Sequence, residues 1–233
     1  MKLKKLSMLC LAASALTTTS AMAWESADGA WSTSANVTLA TEYMWRGQAL
    51  TDSDPAIQGG FDLGHASVLY AGVWGSNIEA DGGTIELDYY AGYSADIGDT
   101  GFAYDVGVLY YDFPGIEDFD YFEVYGFLSY GFLSAGVSYS LDAFDADYDG
   151  AEDNLYYQLD ASYDVGSVSL GAGVGYYDYD DEDIWGESYG NWYISASTEL
   201  AGLGFALTFT DVDSDGEDNG HDDQVVFSIS KSL

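Results

Sequence analysis

Eight acidic side chains, Glu42, Asp62, Glu86, Asp88, Asp105, Glu123, Asp160 and Glu199, share a placement with one arginine, Arg46. Each occupies the polar side of a segment whose other side is apolar, so all of them can be gathered into one interior. Carboxylates crowded into a narrow tube with low-dielectric walls create a negative potential that collects cations and repels anions. The chemistry on offer is ion selection. A solvated wall with no selected cargo is the plainer alternative, and the inward tyrosines Tyr90, Tyr111, Tyr125 and Tyr156 could instead plug the interior. Arg46 also has two readings. It is a charge set against the acids at a constriction, or it forms an ion pair with Glu42 or a neighbour that pins the first long loop to the wall.

Two further strings resemble calcium loops. Asp145-Ala146-Asp147-Tyr148-Asp149-Gly150 opens the pattern, but Tyr156 stands where the bidentate acid belongs. Asp211, Asp213 and Asp215 followed by Gly216, with Asp222 at the twelfth position, fit better. Acidic low-complexity loops also produce such strings by chance; weak Ca²⁺ or Mg²⁺ binding by these loops, or bridging to lipopolysaccharide phosphates, is the alternative reading. Catalysis is not expected. The two histidines are His65 in a short turn and His221 in an acidic loop; His221 beside Asp222 and Asp223 could polarise water, but a histidine in such a loop is ordinarily just solvated. The sequence carries no nucleotide, haem or zinc motif, and no cofactor is expected.

The elements that must position these residues follow from a period of two. Ile85, Leu87, Tyr89, Ala91 and Tyr93 alternate with Glu86, Asp88, Tyr90, Gly92 and Ser94, which is the signature of a β-strand. Twelve such segments are predicted. The first six are Ser34–Trp45, Ala56–Leu63, Val68–Ser76, Thr84–Ser94, Phe102–Tyr111 and Tyr121–Tyr130. The others are Phe132–Ser140, Leu155–Tyr163, Val168–Tyr176, Trp192–Glu199, Leu203–Thr210 and Gln224–Leu233. Short turns at Gly64–Ala66, Asp96–Gly101, Gly131, Val165–Ser167 and Ala201–Gly202 alternate with longer loops. Those loops are Arg46–Asp54, Asn77–Gly83, Asp112–Asp120, Leu141–Asn154, Asp178–Gly190 and Asp211–Asp223. In an all-β, up-and-down antiparallel β-barrel, this puts short periplasmic turns at one end and long acidic extracellular loops at the other. A secreted β-sandwich also uses alternating strands, but its strands are shorter and its turns do not segregate by length.

Composition agrees with export. Lys2, Lys4 and Lys5 precede an apolar run from Leu6 to Leu16 and a small-residue site at Ala21-Met22-Ala23, so residues 1–23 read as a cleavable signal peptide and 24–233 as one barrel domain. That leader holds the chain's single Cys and three of its five basic residues. Only Arg46 and Lys231 then stand against 40 acids, which excludes nucleic acid as a partner and favours cations.

The stretch Asn36–Gly47, with Tyr43-Met44-Trp45-Arg46-Gly47, continues through Asp54-Pro55-Ala56-Ile57-Gln58-Gly59 to Gly72-Val73-Trp74-Gly75-Ser76-Asn77. It resembles the TorF family of proteobacterial outer-membrane proteins, regarded as porins, and Asp88–Tyr93 is also similar. The resemblance implies an outer-membrane β-barrel that forms a channel, and it supplies no substrate. One departure concerns the C-terminus: such barrels end in an aromatic residue read by the barrel-assembly machinery, whereas this chain ends in Leu233 behind Lys231. The expected function is a passive channel for small hydrophilic solutes, cationic or neutral, in the bacterial outer membrane. A closed barrel with a structural or surface-interaction role is the alternative, and adaptation to high salt would explain the acids without any cargo.

Overall fold

Alternation of this kind leaves every strand with one face for lipid and one for the interior, and closing the sheet on itself is the only arrangement that leaves no unpaired edge in a membrane. The computed structural model describes residues 22–80, 82–116, 119–142, 153–180, 187–213 and 223–233. It is all-β, with no helix among the described residues. The wall consists of β2 (Trp31–Ala40), β5 (Ala56–His65), β6 (Leu69–Ala80), β7 (Gly83–Asp96), β8 (Phe102–Asp112) and β9 (Tyr121–Tyr130). It continues with β10 (Leu133–Asp142), β11 (Leu155–Val165), β12 (Val168–Asp178), β13 (Tyr189–Leu200), β14 (Leu203–Asp213) and β15 (Gln224–Ser232). Each strand pairs antiparallel with the next, and β15 pairs with β2 to close a ring of twelve. A short N-terminal strand, β1 (Met22–Glu25), pairs with the start of β2 below the point where β15 ends.

The outer face is apolar. Ile57 and Phe61 are 63% and 69% exposed, and Leu39, Leu128, Leu159, Val174, Ile194 and Leu207 continue the band around the wall. Aromatic residues flank it, with Trp31, Phe102, Tyr130 and Tyr163 toward the short turns and Tyr157, Tyr176 and Trp192 toward the opposite rim. This is the belt and girdle of an outer-membrane barrel. Turns between β9 and β10 and between β11 and β12 take two residues each. Gly131 and Gly166 supply the positive φ (61° and 68°) that such tight connections need.

Two expectations are corrected. The first wall strand stops at Ala40 and not at Trp45, because the chain leaves the wall there and turns into the barrel. Strands β6 and β7 also run beyond their expected ends to Ala80 and Gly83, so only residues 81 and 82 connect them. The long loop expected at Asn77–Gly83 is mostly a strand extension, and the alternation of short and long connections breaks at that hairpin.

Inside the barrel, tyrosines lie across the wall. Tyr70 faces Gly92, Tyr90 faces Gly72, Tyr125 faces Gly107 and Tyr193 faces Gly173 on the neighbouring strand, and Phe127 faces Gly136 in the same way. In each case a methyl group on the glycine would overlap the ring opposite. The glycines are therefore seats for flat-lying rings, which line the interior and leave its centre to other groups. Gly92→Ala is expected to lower the unfolding free energy by about 1–3 kcal/mol, since the Tyr70 ring has to be displaced. Gly126→Ala faces only Val106 at 3.7 Å and should change stability by less than about 0.5 kcal/mol. Urea unfolding followed by tryptophan fluorescence compares the two.

Candidate functional site: a hairpin folded into the lumen

Residues 41–55 connect β2 to β5, and they do so through the inside of the barrel. Within them β3 (Met44–Trp45) and β4 (Gln48–Ala49) pair as a small hairpin, Met44 opposite Ala49 and Trp45 opposite Gln48. The two residues at its tip, Arg46 and Gly47, have φ of 49° and 88°, as a two-residue turn of the primed type requires. Gly47 is indispensable on a second count. A side chain there would run into Val212 and Asn191, 2.7 and 2.8 Å from its Cβ position, so the tip is pressed against the wall at β13 and β14.

The hairpin is anchored on several sides at once. Tyr43 donates its hydroxyl to Glu86 Oε1 on β7 at 3.0 Å. Arg46 reaches β9, where Nη1 and Nη2 donate to the two oxygens of Glu123 at 2.7 Å each. The guanidinium also lies over the rings of Trp45, Tyr156 and Tyr177 at 4.5, 4.4 and 5.1 Å. Glu79 on β6 donates its backbone N–H to Leu50 O at 2.8 Å. Tyr43 and Met44 pack into an interior core with Ala56, Ile78, Leu109, Tyr111, Phe113, Tyr125, Phe127 and Val226.

Glu42 does not stand on the wall. It begins the hairpin and holds its return, accepting from the Thr51 N–H at 3.0 Å, from the Thr51 hydroxyl and from the Ser53 N–H. Asp52 and Ser53 turn there at positive φ. Arg46 was expected to pair with Glu42 or a neighbour. Its partner is Glu123, 77 residues further along, because Glu42 is already committed to Thr51 and Ser53.

The remaining acids lie along the wall, most of them tied to a phenol. Asp62 accepts from Tyr90 and from Ser34 Oγ at 3.2 Å. Asp105 accepts from the Tyr70 hydroxyl at 2.5 Å, and that hydroxyl also meets Tyr125 Oη at 2.6 Å. Asp160, partly buried, accepts from Tyr193 and Gln158 at 2.8 Å each. Glu86 and Asp88 are buried side by side on β7. Glu123 is wholly buried and receives Tyr111 and Ser140 at 3.3 Å in addition to Arg46. Glu199 is the exception: it is exposed, one residue before the end of β13 at the short-turn rim, and joins no other acid.

Of the loop acids, Asp211 and Asp213 close strand β14, where Asp211 Oδ1 accepts from the Val212 N–H at 2.9 Å. Asp215, Asp222, His221 and the string Asp145–Gly150 lie outside the described residues, as does nearly all of the leader. His65 was expected in a short turn but ends β5 just before one, its ring 4.4 Å from Trp31 and its Nδ1 2.7 Å from Ser67 Oγ. Lys231, at the same rim, donates to Gly202 O at 2.8 Å. Sequence reasoning missed Tyr43, Trp45 and Thr51 as site residues. The available signal was the Arg46-Gly47 step, a possible two-residue turn inside what otherwise continues as an alternating strand.

A family model described as "Bacterial protein of unknown function (Gcw_chp)" matches residues 24–233. Among solved structures, the KdgM porin superposes with a TM-score of 0.57 at 7% identity, covering 86% of this chain and 98% of that one. OccK5 (OpdH) of Pseudomonas aeruginosa aligns with a TM-score of 0.43 at 14% identity, over 87% of this chain and 67% of its own. No curated protein matches the sequence.

Removing one member of a buried ion pair leaves the other charge uncompensated. Arg46→Ala should therefore lower the unfolding free energy by about 3–5 kcal/mol. Arg46→Lys should recover only part of it, because an ammonium cannot reproduce the fork or the ring contacts. The double variant R46A/E123Q should be more stable than R46A alone, since it leaves no buried charge. Urea titrations of the four proteins check the order.

Proposed function

The chain belongs to the Gcw_chp family, bacterial proteins of unknown function, and from its porin-like barrel we propose that it is an outer-membrane diffusion channel for small hydrophilic solutes. Cations are the preferred cargo, and the hairpin at residues 41–55 forms the constriction. The observation that carries the reading is the opposition of the two faces: an apolar belt outside, and a wall inside bearing Asp62, Glu86, Asp88, Asp105, Glu123 and Asp160. Against these the interior sets a single fixed positive charge, Arg46, and that charge is bound to Glu123. A tube with this balance favours cations in its field. The resemblance to the TorF family at residues 36–77 belongs to the same proposal, as do the signal peptide, placement among outer-membrane lipid and lipopolysaccharide, and delivery by the barrel-assembly machinery.

One observation favours a second reading, a barrel kept closed and serving as a surface or structural protein. The hairpin touches the wall on several sides and is buried there. Reconstitution into planar bilayers separates the two. A channel gives discrete conductance steps, and a KCl gradient gives a reversal potential of cation-selective sign; no steps, or anion preference, would overturn it. Arg46→Ala frees the hairpin from Glu123 and should raise the single-channel conductance. An unchanged conductance would assign the constriction elsewhere.

A further inference from the structure

Beside the hairpin, β7 carries two carboxyl groups whose charges have no visible compensation. Glu86 and Asp88 project from the same face of the strand, two residues apart, and are 1% and 5% exposed. Tyr43 covers Glu86 by donating to Oε1 at 3.0 Å, while Trp74 sits opposite Asp88 in the register of β6 and β7, its ring 5.4 Å from that of Tyr43. One oxygen of each acid, Glu86 Oε2 and Asp88 Oδ1, is buried without any hydrogen-bond partner.

Two adjacent carboxylates this deeply buried cannot both be ionised unless a positive charge joins them. None of the described residues provides it. Arg46 spends both η nitrogens on Glu123, and Lys231 is at the short-turn rim on Gly202 O. The other three basic residues, Lys2, Lys4 and Lys5, belong to the first five positions of the chain. The compensating charge is a proton or comes from outside.

We propose that Glu86 and Asp88 form a binding site for a single hydrated divalent cation of the Mg²⁺ class. A divalent ion neutralises the ionised pair completely and satisfies the two orphaned oxygens, and the proton that otherwise offsets the pair's charge leaves to solvent. Mg²⁺ keeps several waters and needs only one or two carboxylates, whereas Ca²⁺ wants six to eight oxygens. No third acid joins the pair among the described residues, so the donor set suits an ion that needs only two carboxylates and not a calcium cage. The site is distinct from the loop strings at Asp211–Asp222. It also does not require the channel reading, since a barrel that conducts nothing would still bind the ion.

Mn²⁺ serves as the probe, with binding read in detergent from the loss of its free electron paramagnetic resonance signal. The full chain should show one site displaced by Mg²⁺, lost in E86Q/D88N and retained in D211N/D213N/D215N/D222N. Heat-modifiable mobility in gels confirms that each variant is a folded barrel. Should the double variant not assemble, E86Q and D88N singly should each weaken that site at least tenfold. No bound Mn²⁺ in the unaltered protein, a site untouched by E86Q and D88N, or a site removed by the loop variant would each overturn the proposal.

Discussion

The interior of this barrel is organised around one buried ion pair. Arg46 is the only guanidinium in the protein, and it is placed where Glu123 can take both of its η nitrogens. Desolvating a carboxylate and a guanidinium costs several kcal/mol per ion, so a pair at this depth persists only with good geometry and further support. Both are present. The fork is bidentate, Tyr111 and Ser140 fill the remaining positions on Glu123, and three aromatic rings enclose the guanidinium. Arg46 is at positive φ, a conformation that costs a non-glycine residue about 1 kcal/mol or more. The pair and the ring cage hold it there, and the position of the hairpin follows from them.

The wall solves a different problem with different residues. An interior holding many acids and almost no bases must tolerate carboxylates without salt bridges. Tyrosine provides for this: its ring lies flat over a glycine on the next strand, and its hydroxyl reaches an acid. Asp62 with Tyr90, Asp105 with Tyr70 and Asp160 with Tyr193 repeat the arrangement. A phenol donor stabilises a carboxylate without cancelling its charge, so the negative potential survives in a wall that is well bonded. Part of the glycine and tyrosine content of the sequence is thus spent on one structural device.

Much of this barrel was legible in its sequence. Strand β8 was expected over Phe102–Tyr111 and runs over Phe102–Asp112, and strand β9 matches at both ends. Alternation with a lipid-facing side is a strong local signal, and it transmits to the fold because closure demands the same pattern in every strand. The hairpin was not legible, for the same reason. Met44, Trp45, Gln48 and Ala49 are extended as well, so a period of two cannot distinguish a strand in the wall from one folded inside it. Arg46-Gly47 also lacks the Asn or Asp that usually marks such a turn. The partner of Arg46 lay still further from reach. Several acids share the parity of Glu123, and which of them meets the arginine depends on the closed shape of the ring.

The seam of that ring gives the hairpin a further role, in the order in which the structure can be made. Closure joins the last strand to the first, and its bonds extend past the end of β2. The Phe227 N–H donates to Thr41 Oγ1 at 3.0 Å across 186 residues of chain, and the Thr41 N–H donates to Phe227 O at the same length. Thr41 is also the residue at which the chain departs for the interior. The closing seam between the two ends of the chain, by loop-closure entropy a slow kind of contact to form, is therefore latched to the root of the hairpin. A barrel that completes its circumference sets its interior hairpin in the same step.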